Sequence, residues 1–147
     1  MRTTSRIARK LTVGADEAWA ALEGFGRLDV WFPSISSCRV EGSGVGARRA
    51  MELEGLGPIT DVLVELDATA RRLVYERTES PFPVSSYRGT VEVFASDDGL
   101  AVVVWTVDFE SDDEVAELVD QLLVDGIGAG VDGLGADLAV RSGPGTG

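Results

Sequence analysis

The strongest constraint on the fold is a change of hydrophobic period near residue 112. From there to residue 140, Val115, Leu118, Val119, Leu122, Leu123, Ile127, Val131, Leu134 and Leu138 recur three and four apart, while Asp120, Asp125 and Asp132 fall off the stripe. That spacing predicts one long amphipathic helix. Ser111-Asp112-Asp113-Glu114 at its start suits helix capping and the helix dipole. Ahead of it lie runs that alternate in period two between turn signals: 36–41, 46–54, 59–66, 71–78, 84–94 and 100–110. Short turns between consecutive strands argue for an antiparallel meander. A sheet with one apolar face needs a cover, and the last helix is the only element long enough to supply it.

The N-terminal part completes the order. Residues 3–13 alternate weakly and read as a first strand. Asp16 is placed to cap a helix running through Glu17–Leu22, which Gly24 ends. A second short helical piece, about 25–31, stops before Pro33. The chain therefore reads as one α+β domain over residues 1–141: a curved antiparallel sheet of about seven strands wrapped around a long C-terminal helix, the helix-grip arrangement, with two short helices after the first strand. The Gly/Pro-rich segment 142–147 reads as a disordered tail.

Composition narrows the chemistry. The chain has no histidine, which removes the commonest general base and the commonest metal ligand. Its one cysteine, Cys38, cannot form an internal disulfide and reads as a small buried residue. The one lysine, Lys10, alternates with Leu11 and points outward, away from any Schiff-base chemistry in the interior. We expect no metal and no cofactor. A net charge of −12 disfavours nucleic acid and anionic membranes. Neither a secretory signal nor a membrane-spanning run is read in the sequence, so a cytoplasmic protein without membrane insertion is expected; a homodimer is compatible with the sequence.

Several strings, in order, resemble the START-like superfamily. They are Trp31-Phe32-Pro33 with Ile35–Val40; Gly44–Arg49; Asp61–Asp67; Tyr75 followed by Pro81-Phe82-Pro83; Tyr87–Val91; and Trp105–Glu110. That superfamily includes the birch pollen allergen fold and the plant abscisic acid receptors. The nearer likeness is to its bacterial polyketide cyclase/dehydrase and lipid-transport branch. The resemblance implies the helix-grip fold and an internal cavity, but members carry lipids, sense hormones or cyclise polyketides, so activity has to be argued from the site.

Alternation selects the inward set. Ser36, Cys38 and Val40 share one face; Met51 and Leu53 bring Arg49 inward; Leu73 and Tyr75 bring Arg77 inward. Tyr87 and Val91 face in from the next strand, and Trp105 and Phe109 from the last. A buried arginine needs a partner, and Asp61 and Glu110 are the candidates. Asp61 is read two ways. Hydrophobicity puts Val62 and Val64 inward, whereas the resemblance implies that the acidic residue lines the pocket. A three-residue loop in the following hairpin would put Asp61, and Leu63 with it, on the face of Tyr75; a two- or four-residue loop would put Val62 there. The inward reading is preferred. Ser36 aligns with a pocket lysine of the hormone receptors, which argues against abscisic acid as the ligand.

The loops 54–58 and 81–84 match the receptors' gate and latch in position, with Leu56 and Phe82 as apolar lips. On the long helix, Leu118, Leu122 and Gly126 complete the candidate lining. Glycines at 126 and 130 mark either close helix–sheet packing or volume left for a cavity, since each weakens the helix by about 1 kcal/mol. The expected function is binding of a small hydrophobic or aromatic molecule, lipid- or polyketide-like, in that cavity. A cyclase/dehydratase using Arg, Tyr and carboxylate groups, and an interaction module presenting the gate loops, are the alternatives.

Overall fold

The computed structural model describes residues 1–141; the proposed disordered tail, 142–147, lies outside the described residues. In chain order the elements are strand β1 (Arg2–Gly14), helices α1 (Ala15–Glu23) and α2 (Leu28–Trp31), strands β2 (Ile35–Glu41), β3 (Arg48–Leu53), β4 (Gly57–Asp67), β5 (Arg72–Glu79), β6 (Ser86–Ala95) and β7 (Leu100–Glu110), and helix α3 (Asp113–Arg141). The seven strands form one antiparallel sheet in the order β1-β7-β6-β5-β4-β3-β2. β2 to β7 make the expected meander, and β1 returns to pair with β7 from Arg2↔Glu110 to Lys10↔Val102. The sheet curls into a half-barrel around α3, which is the helix-grip fold.

The core fills the space between the concave face and α3. Leu63, Tyr75, Val91, Val107 and Phe109 are almost wholly buried, as are Val119, Val131 and Leu134 on the helix. Fully burying one such apolar side chain contributes about 1.5–3 kcal/mol. At about 100° per residue, Val119, Leu123, Ile127, Val131, Leu134 and Leu138 fall within an arc of about 120°. Leu118 lies about 100° outside that arc and is 62% exposed, so it faces solvent rather than the cavity. Three-and-four spacing alone draws the stripe too wide.

Three glycines let α3 lie close to its neighbours. A Cβ at Gly133 would overlap the Trp31 carbonyl oxygen, one at Gly130 the Phe32 ring, and one at Gly135 would press on Leu11, whereas one at Gly128 would meet only the movable end of the Arg9 side chain. Asp137 then ties α2 to α3: Trp31 Nε1 and Arg27 Nη2 each donate to its Oδ2 at 3.0 Å.

Local expectations are corrected in three places. Asp16 does not cap α1; Gly14 holds that position, and Asp16 in the first turn pairs with Arg71 at 2.8 Å on the surface. The helical piece before Pro33 is only α2, because Phe25 (φ 66°) and Arg27 (φ 67°) take left-handed backbone and keep the chain from coiling earlier. Cys38 is half-buried rather than buried, and burial pushes its thiol up.

Candidate functional site

Three charges stand in a row across three strands. Arg49 on β3 lies directly opposite Asp61 on β4, which lies directly opposite Arg77 on β5. Arg49 donates to Asp61 Oδ2 through Nη2 at 2.7 Å and Nε at 3.1 Å. Arg77 donates through Nε to Oδ1 at 2.8 Å and through Nη2 to Oδ2 at 3.3 Å. The side chains are 3%, 0% and 8% exposed for Arg49, Asp61 and Arg77. Burial alone would push the Asp61 carboxyl up, but the guanidiniums of Arg77 and Arg49 and their hydrogen bonds together hold it below the usual carboxylate range. Asp61 is therefore ionised at neutral pH.

The aspartate faces inward for a reason the turn does not reveal. The β4–β5 loop has four residues, 68–71, between the paired Asp67 and Arg72, a length that by turn geometry puts Val62 on the inner face. A bulge reverses this: Leu63 pairs with Tyr75 and Glu65 with Val74, leaving Val64 extra. One extra residue shifts parity, so Leu66 points in on one side of the bulge and Leu63 and Asp61 on the other.

Aromatic rings surround the charges. The Arg49 guanidinium carbon sits 4.0 Å from the Phe25 ring centroid and 4.8 Å from that of Tyr75, and Arg77 sits 4.1 Å from Tyr87. Such contacts stabilise a desolvated cation by roughly 2 kcal/mol. The left-handed backbone at Phe25 also turns its carbonyl to Arg49 Nη1, at 3.3 Å. Tyr75 crosses the sheet over Gly89, its pairing partner, where any Cβ would overlap the phenol ring. Its hydroxyl accepts a hydrogen bond from Trp105 Nε1 at 3.0 Å. Burial raises the Tyr87 phenol well above its ordinary value, only partly opposed by Arg77.

This cluster borders a cavity of about 70 Å³ between sheet and α3. Of the expected lining residues, Leu53, Tyr75, Arg77, Phe82, Tyr87, Trp105, Leu122 and Gly126 border it. Leu28, Phe32, Ser34, Ile35, Ile59, Leu123 and Ile127 complete the lining and were not anticipated. Leu122 is 47% exposed and, with Ser34 and Phe82, belongs to the mouth. No heavy atom would lie within 4 Å of a Cβ at Gly126, so that glycine leaves open space where the glycine at 130 packs on Phe32.

Other expected residues sit elsewhere. Arg49, Asp61, Met51 and Leu63 are buried and do not line the cavity, and Phe109 is buried and borders an outer cleft. Ser36 is exposed because β2 carries its own irregularity: Ile35 pairs with Leu53 and Ser37 with Glu52, so Ser36 is the extra residue and Ile35 takes the inward place. Glu110 follows inward Phe109 and so points out, near the N-terminal ammonium at 3.5 Å, and pairs with neither arginine. Leu56 is exposed and does not line the cavity. Among the described residues no three of His, Cys, Asp and Glu converge as metal ligands, and no helix is long and apolar enough to cross a membrane.

A half-barrel gripping a long helix, with an apolar cavity ending in an arginine–tyrosine floor, defines a ligand-cavity protein of the helix-grip class. The chain belongs to the polyketide cyclase/dehydrase and lipid transport family, whose sequence profile matches residues 2–139. A solution structure from Thermobifida fusca is 29% identical with a TM-score of 0.81, covering 95% of each chain. The Zhui aromatase/cyclase from Streptomyces sp. R1128 has a TM-score of 0.85 at 18% identity, over 100% of this chain and 99% of that one. Norcoclaurine synthase from Thalictrum flavum, in complex with dopamine and hydroxybenzaldehyde, has a TM-score of 0.78 at 17% identity, over 97% and 89%. At these identities the two enzymes share the fold. None of the curated proteins matches the sequence.

Proposed function

We propose that the chain binds a small, mostly apolar or aromatic molecule in the cavity, with an oxygen-bearing group turned towards Arg77, Tyr75 and Tyr87. The observation that carries this reading is the contrast within the lining. Arg77 is the one charged side chain among the described residues that border a wall otherwise made of Leu, Ile, Phe and Trp with a few hydroxyl groups. Such walls hold a ligand by apolar contact and orient it by few polar groups. An apolar cavity of about 150 Å³ admits benzene, so a guest larger than part of a ring needs the 70 Å³ space to widen at the mouth. Phe82 and Leu122 are placed to move for it.

The cyclase/dehydratase reading is less well supported. General acid–base catalysis wants a group that titrates near the working pH. Asp61 is held below its ordinary range and Tyr87 above its own, so the first is a weak base and the second a neutral hydrogen-bond donor. Native mass spectrometry of freshly purified protein, with titration of the neutral dye Nile red, tests the binding reading. A co-purified small molecule or saturable one-to-one dye uptake is expected. Absence of both, across a panel of one- and two-ring aromatics, would overturn it.

A further inference from the structure

The row of charges does not balance. Arg49 and Arg77 carry two positive charges, and among the described residues the only carboxylate in ion-pair range of either is Asp61. Asp61 is ionised and fully buried, so the cluster holds one net positive charge. The ring faces of Phe25, Tyr75 and Tyr87 lower the cost of desolvating the guanidiniums but contribute no net charge. A buried ion left without a counter-charge is unfavourable.

The two arginines are used unequally. All three nitrogens of Arg49 donate within the protein, to Asp61 and to the Phe25 carbonyl. Arg77 spends Nε and Nη2 on Asp61, and its Nη1 makes no hydrogen bond among the described residues. Arg77 is also the arginine that borders the cavity. It stands where the β5–β6 ladder has ended, at Glu76↔Arg88, beside the protonated phenol of Tyr87. The excess charge and the spare donors thus coincide at one guanidinium.

We infer that the ligand is an organic monoanion, an apolar or aromatic body bearing one carboxylate or enolate-like oxygen group, whose charge is neutralised at Arg77. This rests on the cavity-binding reading above and narrows it by charge: neutral isosteres bind weakly and cations are rejected. Arginine suits this role because its planar fork meets a carboxylate through paired donors.

The test is competition against bound Nile red by three probes of one shape: 2-naphthoate, 2-naphthamide and 2-naphthylmethylammonium. Naphthoate should bind at least tenfold more tightly than the amide, about 1.4 kcal/mol, and the ammonium should not compete. The advantage should vanish in Arg77→Met, which leaves Arg49 and Asp61 balanced, and persist in Arg77→Lys. Equal affinity for naphthoate and naphthamide in the wild-type protein would overturn the charge inference while leaving cavity binding intact. Failure of all three probes to displace the dye would overturn the cavity reading and this inference with it. An advantage surviving in Arg77→Met would put the anion elsewhere and overturn the assignment. Should Arg77→Met not fold, the wild-type ranking of the three probes decides.

Discussion

Two glycines of α3, seven residues apart, should respond in opposite ways to a side chain. At Gly126 a Cβ meets no heavy atom within 4 Å, and the position borders the cavity. Gly126→Leu gains about 0.8–1 kcal/mol in helix propensity. Partial burial of the leucine, at roughly half of the 1.5–3 kcal/mol for a fully buried one, adds about 1 kcal/mol. The expected stabilisation is about 1–2 kcal/mol, which for a domain of this size raises Tm by roughly 3–6 °C. At Gly133 the same gain in propensity is available, but a Cβ would overlap the Trp31 carbonyl oxygen, a backbone atom that cannot rotate aside. Overpacking there costs about 1–3 kcal/mol or more, so Gly133→Ala should lower Tm. Differential scanning calorimetry on both variants, with Nile red titration, is the assay. Gly126→Leu should also lose affinity for two-ring aromatics, because the leucine occupies their space. Lower stability of Gly126→Leu with unchanged dye binding would refute the cavity reading of that position, and equal stabilisation at both sites would refute the packing argument.

Other expectations follow from the same geometry. Asp61→Asn leaves two buried guanidiniums without a carboxylate and should cost about 3–5 kcal/mol in urea unfolding at pH 7. Because the folded-state pKa of Asp61 is lowered, its contribution is present above the unfolded value of about 3.9 and is lost as pH falls through the folded value. The gap in stability between wild type and Asp61→Asn should therefore hold from pH 7 to about 5 and narrow below about 4; a gap that widens in acid would contradict the ionised assignment. Gly89→Ala should drive the Tyr75 ring from its place and cost about 1–3 kcal/mol, with loss of near-UV circular dichroism. In hydrogen exchange, residues 54–56 and 80–85 should exchange faster than the central strands β5 and β6, since a gated cavity needs a mobile mouth; equal protection would count against a gate.

Period and punctuation carried the fold. Alternation between turn residues located β2 to β7, and the switch to three-and-four spacing located α3, because those signals follow from which face of an element is buried. The inward parity of Arg49, Tyr75, Tyr87 and Trp105 was legible for the same reason. What sequence could not show was where parity breaks. The bulge at Val64 put Asp61 inward despite a four-residue loop, and the extra residue at Ser36 gave its inward place to Ile35. Bulges arise from pairing with a neighbouring strand, and a single strand's pattern does not record the partner. Residues outside regular strands were hidden in the same way. Phe25 reaches Arg49 only through a left-handed backbone, and Leu28 and Phe32 reach the cavity because α2 folds under α3. The Gly24-Phe25-Gly26 break was the available signal, marking backbone freedom around an aromatic residue.

The central claim is that a ligand enters between sheet and helix. The most direct measurement is a proton–nitrogen correlation spectrum of labelled protein titrated with 2-naphthoate, read at the Trp105 indole, which donates to the Tyr75 hydroxyl at 3.0 Å, and at the Gly126 amide. Saturable shifts greatest at these two signals, with the Trp19 indole little moved, are predicted. Shifts confined to the outer cleft around Ser85, Arg88 and Asp108, or an unchanged Trp105 indole at saturation, would contradict the account.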